Sequence, residues 1–302
     1  MGFPLMKPRA VEHRSSRTAE HVALFRALES RRGGARLFVD PYAVRFLRSR
    51  YRFIARLAGL PLVGGAIPGY IDRRWTSGPR SSAVVRTRLI DDLLGDAVAA
   101  GTQQVLLLGA GYDSRAYRIP ALASLPVFEV DHPATQAGKR RQIHRRIPSK
   151  SYAHVRFVPA DFERGDVDAA LRQAGFITDR TAVIWEGVTE YLTAETVDAT
   201  LRWLTIATAA GSHIIFTYVD RGALDNTGGF DGAAQWLATV RGAGEPWKFG
   251  LDPSELPGYL AERGITLISD QSARDAAVRY LEPLGRHEST AGFYRIAVAQ
   301  VI

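Results

Sequence analysis

The chain has 302 residues, 46% of them hydrophobic and 23% charged, which suits one large domain or two small ones with an ample core and excludes disordered and membrane-spanning classes. Zero cysteines exclude disulfide frameworks, thiolate nucleophiles and Cys-ligated metal centres. The net charge of +8 is almost entirely arginine, scattered from Arg9 to Arg295, because lysine stands only at Lys7, Lys139, Lys150 and Lys248. Two dense runs, Arg45–Arg56 and Lys139–Arg146, alternate with apolar residues at helical spacing and read as solvated helix faces, so no nucleic-acid partner is expected.

The amino terminus has no apolar run long enough for a signal peptide, and position 6 lacks the Ser or Thr of a myristoylation site. The most apolar window, Leu57–Ile71, is shorter than the roughly 20 residues of a membrane span and is broken by Pro61 and Pro68. No membrane partner and a cytoplasmic location are therefore expected. Helical spacing covers Thr18–Ser30, Pro41–Leu47 with Asp40 as N-cap, and Ser81–Ala100, and no strand pattern precedes residue 104. A helical cap over residues 1–85 and a core over 86–302 follow.

From residue 104 the pattern changes. Short apolar runs at Gln104–Leu108, Val127–Val130, Val155–Pro159, Ala182–Trp185 and His213–Val219 are separated by helical segments at Ser114–Leu122, Thr135–Arg145, Val167–Ala174 and Ala194–Ala209. Such alternation predicts an α/β fold, a doubly wound parallel sheet covered on both faces. After Asp220 the alternation stops over about 221–255, then resumes with a helix at Leu256–Arg263 and strands at Thr266–Ser269 and Phe293–Val301. A strand this close to the carboxyl end leaves little room for a crossover, which predicts an antiparallel last pair.

Four strand ends carry chemistry. After the first strand, Gly109 and Gly111 in the run LLLGAGYDSR allow close ligand approach, and Ala110 and Asp113 share the turn; Ser114 replaces the third glycine of a dinucleotide fingerprint. Asp131 ends the second strand twenty residues past Gly111 and can accept from both hydroxyls of a ribose, or else cap the following helix. That spacing marks an adenosine ribose without choosing between nicotinamide cofactors and S-adenosylmethionine. Asp161 after the third strand can accept from the adenine amine while the Phe162 N–H donates to a ring nitrogen. At the fourth, Glu186 is placed to accept from an ammonium group, and Tyr191 could face an acceptor. Glu129 faces the other way and is expected to pair with an arginine.

The stretches LLLGAGYDSRAYR, VFEVD, ADFE, WEGVTEYL and VVRTRLIDDLL resemble the leucine carboxyl methyltransferase-like branch of class I S-adenosylmethionine-dependent methyltransferases, and the resemblance covers nearly the whole chain. It implies a Rossmann-like seven-stranded sheet with an antiparallel final strand, S-adenosylmethionine as cofactor, and Arg86, Gly109, Asp131, Asp161, Phe162 and Glu186 in its site. Arg86 is expected to hold the cofactor carboxylate, with Arg115 the next candidate.

Methyl transfer to a carboxylate needs alignment and dry surroundings but neither a strong base nor a metal. The seven histidines show no metal-like spacing, so no metal is expected. For a hydroxyl acceptor a base becomes useful, and His287, Tyr218 and Asp220 are the candidates. The cap and the 221–255 insertion are expected to roof the site as a lid, with Trp236, Trp247 and Phe249 lining a pocket for a small, largely apolar acceptor. The competing readings are a nicotinamide-dependent oxidoreductase, opposed by the missing third glycine, and a non-enzymatic S-adenosylmethionine-binding protein on the same fold.

Overall fold

A computed structural model describes residues 17–60, 66–74, 78–161 and 167–302. Among the described residues five helices come first: α1 (Arg17–Ser30), α2 (Ala43–Phe46), α3 (Ser49–Leu57), α4 (Ala66–Arg74) and α5 (Pro79–Ala99). Strands and helices then alternate through β1 (Gln104–Leu108), α6 (Arg115–Arg118), β2 (Val127–Asp131), α7 (Pro133–Arg146), β3 (Val155–Pro159), α8 (Val167–Gln173), β4 (Thr181–Trp185), α9 (Ala194–Ala207) and β5 (His213–Val219). The chain closes with α10 (Arg221–Leu224), α11 (Ala233–Gly242), α12 (Leu256–Ala261), β6 (Ile265–Ser272), α13 (Ala273–Tyr280) and β7 (Tyr294–Val301).

The seven strands form one sheet in the order β3-β2-β1-β4-β5-β7-β6. The first five pair in parallel, and β7 lies antiparallel between β5 and β6. β1 and β4 are buried along their whole length and apolar after their first residues, Gln104 and Thr181, as strands covered on both faces must be. Val105 and Leu107 join Leu89, Ile90 and Ile143 on one face, whereas Leu106 and Leu108 meet Leu171, Leu201 and Leu260 on the other. The strand order reverses between β1 and β4, which opens a crevice at their carboxyl ends. No described helix is long and apolar enough to cross a membrane.

The cap is not a loose appendage, because α5 runs unbroken across residues 85 and 86 with Val84, Val85, Leu89 and Ile90 buried. The expected helix over Pro41–Leu47 is shorter, α2 beginning at Ala43 with Tyr42 as its N-cap, and Asp40 instead holds the turn before it, its Oδ1 accepting from the N–H groups of Tyr42 and Ala43 at 2.9 Å each. Its Oδ2 takes Arg26 Nε at 3.0 Å and the Ser114 hydroxyl at 2.6 Å, so one carboxylate ties the cap to the segment after β1. One expectation is corrected: Glu129 pairs with Lys139, not with an arginine, at 2.8 Å. Tyr117 donates to its other oxygen at 2.8 Å, and the lysine ammonium lies over the Phe46 and Tyr117 rings. A compact ammonium within reach of two ring faces fits a site that a guanidinium fork would overfill.

Candidate functional site

β1 delivers the chain into a turn that only glycine adopts without strain: Gly109 has φ +69° and Gly111 φ +43°. A Cβ at Gly109 would overlap the Val188 side chain after β4, and one at Gly111 would stand 3.3 Å from Ala19 Cβ on α1. The turn is thus clasped from both sides. Asp131 Oδ2 accepts from the Gly111 N–H at 2.6 Å, and Oδ1 from the His132 N–H at 2.7 Å. The capping alternative for Asp131 is set aside, since His132 is the N-cap of α7 and its ring Nδ1 accepts from the Ala134 N–H. Burial pushes the Asp131 carboxyl above its ordinary value, and the Gly111 and His132 N–H groups oppose that push. Each oxygen keeps acceptor capacity for a hydroxyl of a ligand. Asp161 stands two residues past the end of β3, the strand beside the one that carries Asp131, whereas Phe162 lies outside the described residues.

At the end of β4 the charges interlock. Arg86 on α5 donates through Nε to Glu186 Oε1 at 2.7 Å, and Arg115 donates through Nη1 to Oε2 at 2.6 Å. Arg115 also meets Asp113 at 2.5 Å and Asp91 at 2.8 Å. Burial works against ionisation of Glu186, but Arg115 and Arg86 outweigh it and hold the carboxyl below its ordinary value. Asp113 is held lower still, with Arg115, Arg26 and Lys139 overcoming its burial. Both acids therefore carry charge at neutral pH, and two guanidinia are fixed in a dry place at the sheet's crevice.

The next residues along bring in the far end of the chain. The Arg86 guanidinium lies 4.9 Å from the centre of the Tyr294 ring, and the Tyr294 hydroxyl donates to Glu190 Oε1 at 2.6 Å. Glu190 is 1% exposed, and burial pushes its carboxyl up against the opposing Tyr294 hydrogen bond. The Glu190 carbonyl accepts from the Lys248 and Phe249 N–H groups, which pins the end of the 221–255 segment to the loop after β4. Tyr191 follows, its phenol pushed up by burial, with Trp247 and Thr18 facing its hydroxyl. Thr18 on α1 also donates to the Glu245 carboxylate. The cap and the 221–255 segment thus meet over Tyr191.

Not every candidate joins this group. Trp236 and Trp247 lie 6.0 Å apart and pack on Phe293 and Tyr294 beside Arg86, whereas Phe249 belongs to the core on the other face with Leu251 and Leu256. Tyr218 also points to that other face, donating to Asp270 at 2.8 Å and accepting from Arg295 at 3.1 Å. Asp220 caps α10 through the Gly222 N–H at 2.9 Å. His287 borders a separate surface hollow with Arg274, Glu282 and Thr290. Among the described residues no group of three or more His, Asp or Glu side chains could hold a metal ion.

Asp91, Thr217, Glu190 and Tyr294 are the site residues that sequence reasoning did not select. Asp91 and Glu190 stand inside VVRTRLIDDLL and WEGVTEYL, where an acid among apolar neighbours was the available signal. Thr217, which accepts from the Gly187 N–H at 2.8 Å, and Tyr294 gave none.

A family model described as leucine carboxyl methyltransferase matches residues 19–205. A Streptomyces coelicolor protein provisionally named an S-adenosyl-L-methionine-dependent methyltransferase is 33% identical over 285 residues, covering 91% of this chain and 92% of its own. A Frankia alni protein with the same provisional name is 34% identical over 88% of this chain and 87% of its own. Among solved structures, a provisionally assigned methyltransferase from Thermobifida fusca matches with a TM-score of 0.58 at 17% identity, over 92% of this chain and 94% of that one. This last likeness speaks for the fold alone.

Proposed function

Because the chain belongs to the leucine carboxyl methyltransferase family of S-adenosylmethionine-dependent methyltransferases, we propose that it is an O-methyltransferase acting on the carboxylate or hydroxyl of a small, largely apolar molecule. One observation carries the cofactor assignment: Arg86 and Glu186 stand 2.7 Å apart at the mouth of the crevice. Opposite charges held that way complement the carboxylate and ammonium of an amino-acid end, and Arg86 can grip a carboxylate bidentately. The residues fit the group, since the left-handed glycine turn keeps side chains out of its path and Asp131, beside that turn, keeps acceptor capacity for ribose hydroxyls. Glu186 would take the ammonium, Asp131 the ribose and Asp161 the adenine amine, with Gly109, Ala110, Gly111 and Asp113 lining the turn.

S-adenosylmethionine supplies an electrophilic methyl group on a sulfonium. What the chain must add is alignment and exclusion of water, and alignment contributes roughly 7–11 kcal/mol in favourable cases. A carboxylate acceptor arrives already charged and needs no base. Tyr191, kept protonated by burial, would donate to such an acceptor. α1 and the 221–255 segment act as the roof, with Trp236 and Trp247 offering apolar surface. Tyr218 and Asp220 are engaged elsewhere and His287 borders a separate hollow, which favours an acceptor that does without them.

Two measurements test this reading. In calorimetry, Asp131→Ala is expected to weaken S-adenosylhomocysteine binding by about 1–3 kcal/mol through unpaired ribose donors, and unchanged affinity would remove Asp131 from the site. Arg86→Lys keeps the charge but loses the fork, and about tenfold weaker binding is expected. Incubating the protein with methyl-labelled cofactor and an extract of its own cells is expected to put label in a small organic molecule; label mainly in protein would overturn the small-acceptor reading.

A further inference from the structure

The two arginine-rich runs that look like separate helix faces in the sequence converge in the fold. α1 and α7 both begin at the glycine turn, where Ala19 faces Gly111 and Pro133 follows Asp131. Each then runs roughly 20 Å at 1.5 Å per residue. At their far ends Arg31 and Arg146 meet Arg45, Arg52 and Arg56, and these five arginines with Val44 line a hollow of about 330 Å³.

Three features set this cluster apart from an ordinary charged surface. First, its lining contains no acid, and among the described residues none of the five guanidinia is ion-paired. Their neighbours Arg26, Arg32 and Arg48 are all paired, with Asp40, Glu288 and Glu20, so the cap does not lack acids. Second, the side-chain hydrogen bonds that orient the cluster go to neutral acceptors. Arg45 Nη1 donates to the Arg146 carbonyl at 2.8 Å, Arg146 donates to the Arg45 carbonyl, and Arg52 donates to the Ser49 hydroxyl at 3.1 Å. These bonds hold three of the five guanidinia without cancelling their charge, and each guanidinium has five N–H donors. Third, burial and the like charges of Arg52 and Arg145 pull Arg146 below the usual guanidinium range, so repulsion is already stored here.

We propose that this hollow is a binding site for a small soluble anion carrying at least two phosphoryl groups, distinct from the cofactor crevice. Arginine forks match phosphoryl oxygens bidentately. Five unneutralised charges exceed what one carboxylate or one phosphate would balance. A single hollow, rather than a continuous track, fits a compact anion better than a nucleic-acid backbone.

The test is calorimetric titration of the full chain with inorganic pyrophosphate. Saturable binding is expected, weakening about fivefold or more between 50 and 200 mM salt as screening grows. Arg52→Gln with Arg56→Gln removes two charges that make no bond between helices; it is expected to weaken pyrophosphate at least about tenfold while S-adenosylhomocysteine affinity and the melting temperature stay near wild type. Arg45→Gln with Arg146→Gln should do the same, with its melting temperature reporting any loss of the crossed carbonyl bonds. Absence of saturable binding, or wild-type affinity in the Arg52/Arg56 variant, overturns the site. Binding to phosphatidic acid vesicles or to a single-stranded oligonucleotide with pyrophosphate inert would overturn the small-anion assignment.

Discussion

Glu186→Ala is expected to lower the unfolding free energy by about 3–5 kcal/mol and to abolish measurable S-adenosylhomocysteine binding. Glu186 lies between two buried guanidinia, 2.7 Å from Arg86 and 2.6 Å from Arg115. Arg115 keeps Asp113 and Asp91 after the substitution, so the loss falls on Arg86, which is left with only the Tyr294 ring and distant acids. Denaturant unfolding reads the stability, and a melting temperature lower by on the order of 5–10 °C should accompany it. pH supplies an independent check. Burial opposes the charge of Glu186, yet Arg115 and Arg86 hold its folded value below its ordinary 4.5. Its contribution is therefore complete above that ordinary value and is lost as pH falls through the folded one. Between pH 5 and pH 3 the wild type should lose more stability than the alanine variant. Glu186→Gln keeps the shape and part of the hydrogen bonding, so it should recover stability without recovering ligand affinity. An alanine variant that binds normally would place the ammonium contact elsewhere.

What the sequence makes legible follows from the range over which each signal acts. Buried strands such as Val105–Leu108 and Ile214–Val219 announce themselves because burial on both faces demands continuous apolar runs, and the acids at their ends stand out against those runs. Gly109, Gly111, Asp131 and Glu186 are therefore visible. Partner choice is not local. Glu186 meets Arg86 a hundred residues earlier, and Glu190 meets Tyr294 across 104 residues because β7 inserts between β5 and β6. Burial of Glu129 can be read from strand alternation, but the lysine that neutralises it is chosen by how α7 packs on α2. The aromatic residues of the 221–255 segment show the same limit. Trp236 and Trp247 reach the site's face and Phe249 turns to the opposite core, a division set by the Asp220–Leu251 bridge and not by composition.

The clasped turn is where a single side chain should do the most harm, and Gly109→Val is expected to abolish S-adenosylhomocysteine binding while leaving a folded but weakened protein. Two costs add. A β-branched residue at φ +69° carries a left-handed penalty of about 1–2 kcal/mol. Its Cβ also overlaps Val188 on the loop that carries Glu186 and Glu190, and overpacking of that kind costs about 1–3 kcal/mol. The overlap is relieved only if the turn and the β4 loop separate. Separation moves Gly111 away from Asp131, which accepts its N–H at 2.6 Å, and moves Glu186 relative to Arg86. Ribose and amino-acid contacts are then disturbed together, so affinity should fall beyond detection in a titration up to about 100 times the wild-type dissociation constant, a loss near 2.7 kcal/mol or more. Combining Gly109→Ala with Val188→Ala separates the two costs. It removes most of the overlap but not the backbone strain, so affinity between wild type and Gly109→Val is expected. If the double variant binds no better than Gly109→Val, contact with Val188 is not how the turn and the β4 loop are coupled. Wild-type affinity in Gly109→Val would mean that the turn does not approach the ligand at all.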